Sequence, residues 1–144
     1  MAFLLDTNII SETVRPRPAP PVLGWLEAQR PDDLYLASQT IGELIRGARK
    51  VREVARRARF EHWIAMELTA QFEGRILPFD SGAAKIWGAL MGDGDRTGRT
   101  PSAADAQIAA VAMQAGLVVV TRNVRDFEVF DVRLLNPWDD ETAC

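Results

Sequence analysis

Cysteine and histidine are almost missing from this chain: one cysteine, Cys144, and one histidine, His62, among 144 residues. A single thiol cannot close an internal disulfide, which fits a reducing compartment. One of each also leaves no ligand set for zinc. Nothing around Cys144 supplies a base, so it reads as an incidental free thiol, and His62, between Glu61 and Trp63, reads as a surface or packing residue. No apolar run reaches ~18 residues, and no basic segment leads into a long apolar one. The expectation is a soluble, cytoplasmic protein with no membrane span. No glycine pattern of the dinucleotide-binding or phosphate-loop kind follows a strand. Positive charge is not in excess either. With 17 Lys and Arg against 20 Asp and Glu, the net charge of −3 excludes a molecule that binds nucleic acid by overall charge.

What remains is an ordinary globular composition, 47% hydrophobic and 26% charged, at a length that predicts one domain over 1–144. Strand and helix signals alternate. Strands are expected at 3–5, 34–37, 75–79, 117–120 and 132–137, with "LVVV" (117–120) the clearest. "TNIISETV" holds a turn or two of helix, and the proline-rich "RPRPAPP" (15–21) breaks it. Further helices are expected from "PVLGWLEAQR", from "SQTIGELIRGARK", across 52–73, after the cap Asp80, and over "SAADAQIAAVAMQAG", ended by Gly116. "GDGDRTGRTP" (92–101) reads as a glycine-rich, charged, mobile loop. Such alternation predicts a three-layer α/β/α sandwich with a central, mainly parallel sheet. In these sheets ligands gather at the carboxyl ends of the strands.

That rule draws attention to Asp6, which closes the apolar run "AFLL". Two other acids stand in unusual places. Asp105 begins an apolar stripe with Ile108, Ala109 and Ala112, and Glu43 lies early in the helix after the second strand. Two readings stand. "TIGE" (40–43) and "SAAD" (102–105) fit a helix-capping pattern, and Asp6 fits a helix start. Alternatively the topology brings the three acids to one rim, where mutual repulsion calls for a cation. Oxygen ligands suit Mg²⁺, or Mn²⁺, which can clamp phosphates and activate water.

"LLDTNIISE", "TIGELIRG", "DAQIAAVAMQAGLVVVTRNVRDF" and "LLNPW" together resemble the PIN-domain ribonucleases, specifically VapC/FitB-type toxins of bacterial toxin–antitoxin pairs. The resemblance runs from the first strand to about Trp138. It implies a Mg²⁺-dependent endoribonuclease with Asp6, Glu43 and Asp105 as metal-binding acids. Asn123 stands where many relatives carry a fourth acid, which leaves less charge for a second metal. The resemblance also implies that Thr7, Asn8 and Thr121 orient the acids, with Asp126 either replacing the missing acid or serving a structural turn.

Charge is polarised along the chain. Arg46, Arg49, Lys50, Arg52, Arg56, Arg57 and Arg59 face a single acid, Glu53, in 46–59, whereas 126–141 holds six acids and only Arg133. The basic strip, above all Arg46, Arg49 and Lys50, is either a solvated helix face or an RNA-tracking surface. Ile9, Ile10, Val14, Leu23, Trp25 and Leu26 either supply core alone or leave a surplus that forms a groove for a partner helix. The resemblance implies that this partner is a small antitoxin and that the toxin is a homodimer. Two competing functions stay open: a PIN-like binding or regulatory subunit acting on DNA with its antitoxin, and a DNA nuclease using the same acids.

Overall fold

The computed structural model describes residues 1–139. Five parallel strands form the centre: β1 (Phe3–Leu5), β2 (Leu34–Ala37), β3 (Ile76–Leu77), β4 (Val118–Val120) and β5 (Leu134–Leu135), in the order β3-β2-β1-β4-β5. The chain winds outward from β1 to β3, then reverses to place β4 on the other side of β1. That reversal opens a crevice at the carboxyl ends of β1 and β4. Register locks the two tips together, with Phe3 opposite Val118 and Leu5 opposite Val120.

The strands are apolar throughout because both faces are covered. Alternation sends Phe3, Leu5, Leu34, Leu36, Val118 and Val120 into one core, with Ile9, Ile10, Val22 and Trp25. These last come from α1 (Thr7–Thr13) and α2 (Pro20–Ala28), and Leu44 of α3 (Ser38–Arg49) packs on the same side. Leu4, Ala37 and Val119 point the other way, onto α6 (Ser81–Thr97), α7 (Ala103–Ala115) and the short α8 (Val124–Phe127). The α/β/α sandwich expected from the sequence is the observed architecture.

The helix expected over 52–73 forms in three pieces. α4 (Val54–His62) runs into a π-helical stretch (Trp63–Leu68) and a last turn, α5 (Thr69–Gln71). The Thr69 hydroxyl donates to the Ile64 carbonyl at 2.8 Å, beside this wider turn. One expectation is overturned. Residues 92–97 are not a loop, because α6 continues to Thr97 and only then turns at Gly98, φ +74°. Gly94 explains this. The returning chain crosses it so closely that a Cβ there would lie 2.6 Å from the Pro101 ring and 2.8 Å from the Arg99 carbonyl oxygen. Arg99 N donates to the Gly94 carbonyl at 2.8 Å, which closes the turn. Of the acidic stretch 126–141, Asp140 and Glu141 lie outside the described residues, as does Cys144.

Candidate functional site

Asp6 sits one residue past β1, and its backbone N–H donates to Val120 O at 2.9 Å. The carboxylate therefore emerges at the seam with β4, and the residue is only 8% exposed. Its burial is compensated by three donors. Oδ1 accepts from Thr7 N at 2.9 Å, which caps α1. Oδ2 accepts from Thr121 Oγ1 at 2.8 Å and Asn8 Nδ2 at 3.4 Å. Thr121, fully buried at the tip of β4, accepts in turn from Asn123 N at 3.0 Å and Asn8 Nδ2 at 3.3 Å. Asn8 Oδ1 accepts from Arg122 N at 3.3 Å, so one amide ties the start of α1 to the segment after β4.

Glu43 lies on the exposed side of α3, and its Oε2 accepts from Thr7 Oγ1 at 2.8 Å. The capping reading of "TIGE" does not hold. α3 begins at Ser38, directly after β2, and its N-cap Ala37 makes no side-chain bond, so Glu43 stands beyond the helix's first turn. "SAAD" does cap α7: Ser102 Oγ accepts from Asp105 N at 3.1 Å. The cap involves the Asp105 backbone, and the half-buried carboxylate joins Asp6 and Glu43 in lining one recess.

The electrostatics follow from this crowding. Burial pushes the Asp6 carboxyl above its ordinary 3.8, opposed by the Thr121 and Thr7 bonds and reinforced by the Glu43 and Asp126 charges. Burial also raises Asp105, with Asp6 and Asp126 repelling its charge. Asp126, exposed on α8, makes no side-chain hydrogen bond among the described residues and acts on the other acids through its charge alone. Among the described residues no three Asp, Glu, His or Cys side chains are grouped as a metal centre. The acids share a recess rather than a point. Their chemistry nonetheless suits a hard divalent cation: three carboxylates, with the charged forms of Asp6 and Asp105 disfavoured first by burial and then by neighbouring acids.

A family model described as PIN domain matches residues 3–132. The chain belongs to the PIN-domain family. Within that family it is of the VapC/FitB kind. The VapC ribonuclease Y4jK of Sinorhizobium fredii is 36% identical over 95% of this chain and 98% of its own length. The toxin FitB of Neisseria gonorrhoeae is 37% identical over 96% and 99%. The crystal structure of FitAcB from Neisseria gonorrhoeae superposes with a TM-score of 0.89 at 36% identity, covering 95% of this chain and 99% of that one.

The recess of this PIN domain holds Asp6, Thr7, Asn8, Glu43, Asp105 and Asn123 together. The Asn123 side chain lies open to solvent and makes no hydrogen bond among the described residues. Arg46 and Lys50 stand exposed at the end of α3, and Arg49 is partly tied up by Glu61 at 3.2 Å. An apolar groove adjoins the recess, but α2 does not build it. Val14, Leu44, Val51, Phe60, Trp63 and Ile64 line it, whereas Trp25 is buried edge-on against Phe3 at 5.0 Å between centroids. Sequence reasoning missed Glu12, Arg15, Arg122 and Trp138 in the recess. Glu12 is buried, accepting from Ala19 N at 3.1 Å and from Arg15 at 3.3 Å, and so holds the proline-rich segment closed. The acid-then-Arg spacing of "SETVR" was the available signal.

Proposed function

We propose that this PIN-domain chain is the toxin of a toxin–antitoxin pair, an endoribonuclease that requires Mg²⁺ or Mn²⁺. The observation that carries the reading is the convergence of Asp6, Glu43 and Asp105 on one recess at the carboxyl edge of the sheet, where burial raises Asp6 and Asp105 and neighbouring acids raise them further, Glu43 and Asp126 acting on Asp6, and Asp6 and Asp126 on Asp105. These three acids would hold the ion, with the Asn123 amide oxygen as a neutral fourth donor. A divalent ion bound there would polarise a phosphodiester and activate water for in-line attack. Thr121, Thr7 and Asn8 keep the acids oriented, as such carboxylates generally require. RNA as substrate rests on the relatives: besides Y4jK, the tRNA(fMet)-specific endonuclease VapC of Shigella flexneri is 32% identical over 89% of this chain and 91% of its own. Arg46, Arg49 and Lys50 would track its phosphates.

The groove lined by Val14, Leu44, Phe60 and Trp63 is the place for an antitoxin segment, since it opens onto Thr7 and Glu43 of the recess. A homodimer accords with the same kinship. The neutral Asn123 favours a second reading, a weakly catalytic subunit acting on DNA through its antitoxin. The structure of FitAB bound to an IR36 DNA fragment, with a TM-score of 0.87 at 35% identity, supports an association with DNA.

The deciding experiment is cleavage of total cellular RNA with Mg²⁺, with Mn²⁺ and with chelator. Cleavage by the parent that disappears in chelator and in Asp6→Asn and Asp105→Asn supports the nuclease. Equal cleavage by both folded variants removes the site assignment. No cleavage and no heat from either ion in calorimetry favours the regulatory subunit.

A further inference from the structure

We infer that Arg122 and Trp138 form a nucleotide-stacking subsite beside the acids, taking an unpaired base of single-stranded RNA next to the bond to be cut; this rests on the nuclease reading above. Both side chains line the recess that holds Asp6, Glu43 and Asp105. Each is pinned at its backbone. Arg122 N donates to Asn8 Oδ1 at 3.3 Å, directly after the Thr121 that bonds Asp6. Trp138 N donates to Asn136 Oδ1 at 2.9 Å, just past β5, and the indole packs against the core that contains Phe3 and Trp25. The guanidinium lies over the indole, 5.1 Å from the ring centroid, and forms no ion pair among the described residues.

A planar cation held over an indole is a flat platform, and every base has a π-face to lay on it. The fork of N–H donors at its edge suits phosphate or a base edge. It also supplies positive charge where the acids would otherwise repel a polyanion. A base stacked inside a duplex cannot reach such a platform, so the occupant is single-stranded. A purely structural pair, latching the segment after β5 to the tip of β4, would affect stability and leave substrate affinity alone.

The test is steady-state cleavage, in Mg²⁺, of a short single-stranded RNA with a mapped cut, using the parent, Arg122→Gln, Trp138→Leu and Trp138→Phe. An abasic nucleotide replaces each position flanking the cut in turn. Arg122→Gln and Trp138→Leu are expected to raise KM by about tenfold, the scale of losing one stacked base, with kcat within about threefold. Trp138→Phe, which keeps an aromatic face, stays near the parent. One abasic position raises the parent's KM to a similar extent and adds nothing in Trp138→Leu. Thermal melts establish which variants fold, and Arg122→Gln, on an exposed side chain, decides if Trp138→Leu does not. Unchanged KM in folded Arg122→Gln, an effect on kcat alone, or additive abasic and Trp138→Leu effects overturn the subsite while the nuclease stands. A parent that cleaves no RNA takes both readings down.

Discussion

Thr121→Val is the perturbation that most sharply tests how the site is tied to the fold. Valine keeps the shape of threonine and removes one hydroxyl, in a residue with no solvent exposure. That hydroxyl donates to Asp6 Oδ2 at 2.8 Å and accepts from Asn123 N at 3.0 Å. A hydrogen bond to a buried charge contributes ~1.5–3 kcal/mol, and orphaning the Asn123 N–H adds a smaller penalty. The expected loss in chelator at about pH 7.5 is ~2–3 kcal/mol, measured by urea denaturation. The loss should depend on pH. The Thr121 bond favours the charged form of Asp6, so without it the carboxyl rises further above 3.8 than burial already places it. A raised carboxyl stabilises the fold when protonated and withdraws that stability as pH climbs through its folded value. The difference between variant and parent should therefore be largest well above that value and shrink as pH falls toward 3.8. Thr121→Ser keeps the hydroxyl and should lose only ~1 kcal/mol, for the missing buried methyl, at every pH. Equal losses for valine and serine, or a valine loss that stays flat as pH falls from about 7.5 toward 3.8, would rule out the Thr121–Asp6 bond as the source of the effect.

Asp105→Asn removes one of the mutually repelling acids. In chelator at neutral pH its Tm should rise by about 1–3 °C, a figure that already allows for solvent screening of a half-exposed group, and the gain should fade on acidification as Asp105 in the parent takes up its proton. A Tm below the parent's at neutral pH would count against burial and repulsion of the Asp105 charge as a cost to the fold. Asn123→Asp adds a fourth acid to the recess. Calorimetry should show tighter Mg²⁺ binding than in the parent, and Mg²⁺ should raise the variant's Tm by more. Gly94→Ala drives a methyl into the Arg99–Pro101 backbone and should destabilise by ~1–3 kcal/mol in thermal melts. Gly92→Ala, two residues earlier in the same helix with open space around it, should instead stabilise by ~0.5–1 kcal/mol. Equal effects would mean that the crossing at Gly94 is looser than its distances imply.

The order of strands and helices, the parallel sheet, the cap at Asp80 and the stop at Gly116 are legible along the chain, because each is written in residues a few positions apart. The Asp80 carboxylate caps α6 through Ala83 N, and Gly116 adopts φ +69° at the end of α7. The apolar strand ending in Asp6 was legible for the same reason. Tertiary structure decided the rest. That Asp6 is bonded to Thr121, 115 residues away, depends on β1 and β4 being neighbours, and no local pattern encodes that pairing. Glu43 looked like a cap in "TIGE" until β2 set the helix start at Ser38. The glycines and aspartates of 92–97 have the local preferences of a loop, yet they form helix because Gly94 admits the returning chain where any side chain would collide. Arg122 and Trp138 carried no visible link either, since they meet only where the ends of β4 and β5 bring their side chains over one another. Periodicity and capping act over a turn or two, and a site at the edge of a sheet is assembled from segments that meet only when the sheet forms.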